Sequence, residues 1–164
     1  MIALVKSSGA KGLHVVVPLA PGQSAINVAA ATRALAARAE RLDPKQTTTA
    51  FVVEERGGKI FLDATRAGGA TVVAAYSPRV RPGAPVSFPV AWDDLAEVSP
   101  ADFTIATVPR MLADADPWTT LMPPPQVVDR GLVEEGHTIP IARVAAMHAG
   151  KRRARERRAA QPDS

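Results

Sequence analysis

The order of apolar runs and breaks in the first 77 residues limits the fold of this chain more than any other feature. The run over 13–19 is typical of a buried strand, and Pro18 with the turn sequence PGQS at 21–24 ends it. A helix then follows from Ala25 to about Leu42, with Ser24 as its predicted N-cap. Its predicted buried face comprises five residues at helical spacing: Val28, Ala31, Leu35, Ala39 and Leu42.

Three further strands are predicted after the helix, which Asp43-Pro44 ends. They cover 47–55, 59–63 and 71–77, and a glycine turn at 57–58 joins the first two as a hairpin. Four strands and one helix, connected mostly by hairpin-like links, predict an α+β sheet domain.

Proline dominates the second half of the chain. The segment 77–89 has prolines at 78, 82, 85 and 89, which predicts an extended path across the surface. Short helical turns are predicted at 92–95 and at 99–102, the second with Ser99 as its cap and Pro100 in its first turn. The segment 117–126 is again predicted to be extended, and a final helix covers 139–160, either continuous or broken at Gly150.

The composition excludes several classes of protein. The chain has no cysteine, which rules out a disulfide scaffold, a thiol nucleophile and cysteine-ligated zinc. No apolar run approaches the roughly 20 residues of a membrane span. The N-terminal sequence MIALVKSSG lacks the charged first region of a signal peptide. We therefore expect a soluble cytoplasmic protein.

The basic charge is concentrated at the C-terminus. The formal charge of +4 on the whole chain equals that of residues 151–164, so the first 150 residues are neutral overall. Six cations make up this tail: Lys151, Arg152, Arg153, Arg155, Arg157 and Arg158. The tail either attracts nucleic acid electrostatically or is a solvated helix end that aids solubility.

The loop SSGAKG, residues 7–12, contains glycine, serine and lysine and leads into the apolar strand. A Walker-type phosphate loop needs G-x-x-x-x-G-K-[ST] between a strand and a helix, and here the lysine precedes the last glycine and a strand follows. Phosphate would instead meet backbone N–H groups, the Ser7 or Ser8 hydroxyl and the Lys11 ammonium. The local sequence fits an ordinary turn equally well.

Other polar residues have both a structural and a functional interpretation. His14 begins the strand and points away from Leu13 and Val15, and Asp63 ends the run KIFLD as a metal ligand, cap or turn residue. Arg79 and Arg81 lie on the proline-stiffened segment, as surface arginines or as phosphate ligands. Structural roles are favoured for four more acidic residues: Asp93, Asp94, Asp114 and Asp116. A zinc site at His137 and His148 is unsupported, because no third ligand is in sight.

Taken in order, these pieces resemble the polymerase domain of bacterial ligase D, in the archaeo-eukaryotic primase superfamily. The blocks SSGAKGLHVVVPL, GGKIFLD, GATVVAAYSPRVRPGAPVSFPVAWDDL, FTIATVP and DPW carry the resemblance over about 4–118. The arginine-rich end after residue 139 resembles that of actinobacterial stand-alone versions without the ligase. The implied organisation is part of a primase/polymerase domain over 1–118, a proline-rich extended segment over 119–138, and a helix with a basic tail over 139–164.

The resemblance implies a set of site residues. Ser8, Lys11 and His14 would bind the triphosphate or sugar of an incoming nucleotide, and Arg79 would contact the triphosphate. Asp63 would be a catalytic metal ligand for manganese or magnesium. The implied fold is a mixed sheet with flanking helices. The implied partners are DNA ends, with Ku and an ATP-dependent DNA ligase expected from the family, and the location is the nucleoid.

Two departures from the family pattern affect the expected activity. Ala64-Thr65-Arg66-Ala67 replaces the Tyr-Leu-Arg-Asn found in many relatives, and the next strand begins about one residue sooner. The family's first two metal ligands form a D-x-D motif upstream of the S-G-x-K-G-x-H block, and this chain lacks it. Two-metal nucleotidyl transfer needs several carboxylates, so we expect a partial domain, lacking its N-terminal half, with weak or no activity alone. A non-catalytic nucleotide- or DNA-binding accessory protein and one half of a split enzyme are the alternatives.

Overall fold

The computed structural model describes residues 1–68, 71–113 and 115–159. The strands of this part are β1 Leu4–Ser7, β2 Leu13–Val16, β3 Thr47–Thr48, β4 Ile60–Phe61 and β5 Pro89–Val90. The α-helices are α1 Ala25–Leu42, α2 Val108–Met111, α3 Pro117–Thr120, α4 Arg130–Thr138 and α5 Ala142–Ala159. Short 3-10 turns lie at Val53–Glu55, Arg66–Gly68, Trp92–Asp94 and Pro100–Asp102. The predicted α+β class is confirmed.

The chain divides into two units. The first comprises Met1–Pro21 and Val72–Val127, and the second comprises Gly22–Thr71 and Val128–Ser164. No helix in the described ranges is long and apolar enough to cross a membrane.

The first unit contains a three-stranded antiparallel sheet in the order β2-β1-β5. Its core lies beside the N-terminal end of β5. There Phe88 stacks on Phe103 with ring centroids 4.7 Å apart, and the Tyr76 ring contacts Phe88 edge-on at 5.7 Å. The cluster as a whole comprises Val86, Phe88, Val90, Phe103 and Val108. The prediction that 77–89 crosses the surface is therefore wrong for Val86–Pro89, whose side chains are buried.

Proline explains why so little of this unit forms regular strand. Backbone hydrogen bonds join Tyr76 N–H to Ser87 O and Ser87 N–H to Ser77 O, and Pro78 faces Val86. Proline has no N–H to donate, so Pro78 interrupts the ladder. Tyr76 also has a positive φ of 63°, which ends any extended run. The predicted strand over 71–77 is accordingly absent.

The strand prediction at the start of the chain needs two corrections. The strand predicted over 13–19 covers only Leu13–Val16, and it lies at the edge of the sheet with Leu13 and Val15 more than half exposed. The buried strand is β1, which the apolar pattern did not reveal because only four residues form it and one of them is a lysine.

The second unit packs α1 against α4. Helix α1 has the predicted bounds, but its buried residues are Ala30, Ala31 and Ala34, and Leu42 is 88% exposed. The close approach of α4 explains why the buried residues of α1 are alanines. A Cβ added to Gly136 of α4 would lie 1.8 Å from the carbonyl oxygen of Ala30. Only small side chains permit so close an approach between helices, and the predicted buried face is wrong at Leu35 and Leu42, which are exposed.

Other predictions in the second unit also differ from the structure. Strands β3 and β4 pair in parallel, not as a hairpin, and the Arg56 side chain donates to the carbonyls of Ala50 and Phe51 in the intervening loop. The extended segment predicted over 119–138 is wrong for Arg130–Thr138, which forms α4. Helix α5 continues through Gly150 without a break.

Candidate nucleotide-binding site

The loop SSGAKG connects β1 and β2 as the turn of a hairpin. Ser8 N–H donates to Gly12 O at 2.9 Å, and Gly12 N–H donates to Ser8 Oγ at 3.3 Å, which closes the loop. Gly9 has φ +65°, a conformation that favours glycine. Strand pairing continues directly from Ser7 and Leu13 on either side. The loop is therefore a closed turn held on two paired strands.

Arg79 lies against this loop. An added Cβ at Gly9 would be 2.7 Å from Arg79 Cγ and 3.1 Å from Ser87 N, so only glycine permits the observed approach. The Arg79 backbone is fixed by its N–H bond to Pro85 O at 2.8 Å. Arg79, from a block about 70 residues along the chain, thus reaches the loop at Gly9, the neighbour of Ser8 in sequence. Lys11 lies exposed in the same loop.

The His14 side chain contacts a buried lysine, Lys6, which was not among the predicted site residues. Lys6 and His14 are directly paired across β1 and β2, so their side chains share one face of the sheet. Lys6 is 2% exposed, and its Nζ lies 3.0 Å from His14 Nδ1, 2.8 Å from Val73 O and 2.6 Å from Ser87 Oγ. The lysine inside the apolar strand LVKS could have indicated this role from the sequence, because a buried charge requires polar partners.

The charges of this face are close enough to interact. Burial, and then the charge of Arg79, lower the pKa of Lys6 from 10.5 to about 8. Lys6 therefore remains mostly an ammonium at neutral pH. The cations of Lys6 and Arg79 thus lie near a loop that also offers backbone N–H groups, the Ser8 hydroxyl and the His14 imidazole. This arrangement is suited to an anion such as phosphate.

Asp63 lies in the second unit and is engaged within its own turn. Its Oδ1 accepts from Thr65 N–H at 2.9 Å and from Thr65 Oγ1 at 2.6 Å, and its Oδ2 accepts from Arg66 Nε at 3.0 Å. Burial works to raise the pKa of Asp63, but the hydrogen bonds from Thr65 and Arg66 outweigh it and lower that pKa.

These contacts do not build a two-metal site around Asp63. In the ranges that the structure describes, no three His, Cys, Asp or Glu residues come together as metal ligands. A cation at Oδ2 would have to displace the Arg66 guanidinium. The residues described here therefore do not fit a resident metal pair.

The other acidic residues and His137, considered above as site candidates, have the following positions and contacts. Asp116 caps α3, accepting from Trp118 N–H and Thr119 Oγ1, and it also accepts from the Tyr76 hydroxyl. Asp93 and Asp94 lie in the turn Trp92–Asp94. Asp114 lies outside the described residues. His137 contacts Asn27 Oδ1 at 3.2 Å.

The basic tail is helical as far as Ala159. Lys151, Arg152 and Arg153 are exposed on α5, and Arg153 pairs with Glu55 at 3.5 Å. The side chains of Arg155, Arg157 and Arg158 lie outside the described part of the chain.

Comparison with known proteins decides the family. The model of the LigD primase-polymerase domain matches residues 1–118. The chain belongs to this family. Among curated relatives, the multifunctional non-homologous end joining protein LigD of Pseudomonas aeruginosa is 37% identical over 121 residues, which is 71% of this chain and 14% of the relative. LigD of Mycolicibacterium smegmatis is 38% identical over 92 residues, or 56% of this chain and 12% of the relative.

A solved LigD structure supports the same assignment. The polymerase domain of Mycobacterium tuberculosis ligase D, in complex with DNA, matches with a TM-score of 0.62 and 28% identity. The match covers 73% of this chain and 42% of that one. The fold and family resemblance drawn from the ordered sequence blocks is thus confirmed, and the chain spans less than half the length of the proteins it matches.

Proposed function

We propose that this chain binds a nucleoside triphosphate through the β1–β2 hairpin as part of a LigD-type DNA primase-polymerase in non-homologous end joining. The observation that carries the proposal is the approach of the Arg79 side chain to Gly9, which brings an arginine to the loop of Ser8 and Lys11. Family membership supports the reaction class, which is metal-dependent nucleotidyl transfer.

Each residue has a distinct proposed role. Ser8 offers a hydroxyl and Lys11 an exposed ammonium to phosphate oxygens, and the Arg79 guanidinium offers a planar pair of N–H donors. His14, at the junction of loop and strand, contacts phosphate or sugar. Because the loop is closed by its own hydrogen bonds, little backbone ordering remains to oppose binding.

The proposed cofactor and partners follow from the family. Asp63 is proposed as one ligand to manganese or magnesium, which requires that Arg66 release its carboxylate. DNA ends are the proposed nucleic-acid substrate, consistent with the DNA-bound polymerase domain that this chain resembles. Ku and an ATP-dependent ligase are proposed as partners in the same repair reaction.

Calorimetric titration of the purified chain with ATP or dATP tests the proposal. We expect Arg79→Ala to weaken binding by about tenfold or more, because a charge-assisted hydrogen bond contributes roughly 1.5–3 kcal/mol. Arg81→Ala is the matched control, since Arg81 is exposed on the same turn and should leave affinity within about twofold. Absence of nucleotide binding by the wild-type chain, or equal effects of both substitutions, would contradict the proposed role of Arg79.

A further inference from the structure

Lys6 presents its donors to a fixed set of acceptors. A lysine ammonium has three N–H groups and no lone pair, and the three neighbours of Nζ are Val73 O, Ser87 Oγ and His14 Nδ1. The Val73 carbonyl can only accept. Ser87 Oγ donates its own hydrogen to Ser7 O at 2.6 Å, so toward Lys6 it also accepts.

This leaves one arrangement for the contact with His14. The third N–H of Lys6 points at Nδ1, and an ammonium cannot accept a hydrogen bond in return. Nδ1 must therefore carry a lone pair, and a neutral imidazole then carries its hydrogen on Nε2. An imidazolium would place two hydrogens between Nδ1 and Nζ.

We infer that Lys6 is a positioning residue that fixes His14 as the Nε2–H tautomer and sets the orientation of the ring for its proposed contact with an anionic ligand. The inference rests on the proposed function for the identity of that ligand, a nucleoside triphosphate. Its geometric basis is independent, because the cross-strand pairing of Lys6 with His14 and the acceptors Val73 and Ser87 are set by the fold.

The surroundings of Lys6 support this role over a purely structural one. A buried ammonium is costly, and a methionine could fill the same space without charge. Arg79 is the other charged group acting on Lys6 from the neighbouring segment, and its repulsion adds to that cost. A lysine at this position places an N–H donor next to His14 Nδ1 and a positive charge close to the loop.

The tautomer of His14 in the ligand-free chain tests the inference. Long-range proton–nitrogen NMR correlations distinguish Nε2–H from Nδ1–H imidazole, and His14→Gln identifies the signals among the three histidines. We expect the Nε2–H form in wild type at about pH 7. We expect a mixture of tautomers in Lys6→Met. The Nδ1–H form in wild type would overturn the inference, and the tautomer is read from the wild-type protein, with His14→Gln used only to assign the signals.

A double-substitution cycle with ATP supplies the functional measurement. Lys6→Met should weaken ATP binding by about fivefold or more in the wild-type background and by less than about twofold when His14 is already alanine. Equal effects in both backgrounds would show that Lys6 does not act through His14. If wild type shows the Nε2–H tautomer but binds no ATP, the proposed function fails while the Lys6–His14 relation stands.

Discussion

Lys6 shows how one residue links stability to the candidate site. Its side chain is almost fully buried yet has a partner for each donor, and in the described ranges no buried side-chain nitrogen or oxygen lacks a hydrogen bond. The pKa of Lys6 is nevertheless lowered to about 8, so the desolvation cost exceeds what these contacts return. Folding therefore disfavours the ammonium form of Lys6 relative to the neutral amine.

The pH dependence of unfolding should reveal this cost. Between about pH 8 and 10.5 the unfolded chain holds a proton on Lys6 that the folded chain has released, so the free energy of unfolding rises with pH. Between about pH 7 and pH 9.5 the gain should be roughly 2 kcal/mol. Urea titrations at both pH values measure it, and Lys6→Met should lack this part of the rise. An identical rise in both proteins would show that Lys6 is not responsible.

Gly9 and Tyr76 have positive φ angles close to the candidate site. Gly9 combines a positive φ with the close approach of Arg79, and Tyr76 has φ 63° beside the segment that carries Arg79. A positive φ at an aromatic residue is a strained conformation, and such strain collects where the surrounding structure serves a function. Both residues lie within the blocks that carry the family resemblance.

At the scale of elements, the contact between α1 and α4 depends on residues too small to appear in a hydrophobic pattern. The two helices meet at Ala30 and Gly136, and Arg33 donates to Gly136 O at 3.0 Å. Glu135 adds ion pairs to Arg38 and Arg41, both more than half exposed and therefore weak. Close backbone packing, more than charge, holds this pair together.

Two glycine substitutions separate packing from helix propensity. Gly136→Ala places a methyl group 1.8 Å from Ala30 O and forces the helices apart, with an expected loss of about 2 kcal/mol or more in the free energy of unfolding. Gly150→Ala is the matched control, because nothing lies within 4 Å of a Cβ added to this residue of α5. Alanine should raise helix stability there by up to about 1 kcal/mol. Thermal or urea denaturation measures both, and a neutral Gly136→Ala would refute the close approach.

The length of an element largely decided whether it could be predicted from the sequence. Helix α1 was predicted with its observed bounds because 18 residues of helical pattern stand between Ser24 and Pro44. The cap at Ser99 was equally readable, and the capping box with Asp102 is present. Strands β3 and β4 have only two residues each, so β propensity over 47–63 could not indicate a parallel pairing that distant contacts determine.

For the whole molecule, the separation of charge is the feature with the clearest consequence. The first 150 residues are neutral overall, and Lys151, Arg152 and Arg153 are exposed on α5. A compact cluster of cations can neutralise DNA phosphates and release counterions without base contacts. We propose that this tail binds DNA phosphates through its cations.

Truncation of the tail tests this proposal through salt dependence. Removing residues 151–164 should lower affinity for a short DNA duplex and reduce the slope of log affinity against log salt by about 3 or more. Removing residues 160–164 is the control, because that deletion keeps all six tail cations. Fluorescence anisotropy at several salt concentrations gives both slopes. Equal slopes for the two truncations would exclude a role for the tail cations.

The amino-acid sequence alone identified the family, because its ordered blocks resemble the polymerase domain of ligase D and the family model matches residues 1–118. It also determined the order of chemical groups along the loop, which excluded a Walker motif. Only the tertiary structure decided which groups meet: Lys6 finds Val73 and Ser87 at separations of 67 and 81 positions, and Arg79 reaches Gly9. The physical reason is that local pattern encodes propensity, whereas the partners of a buried charge and the closeness of two backbones depend on contacts between distant segments.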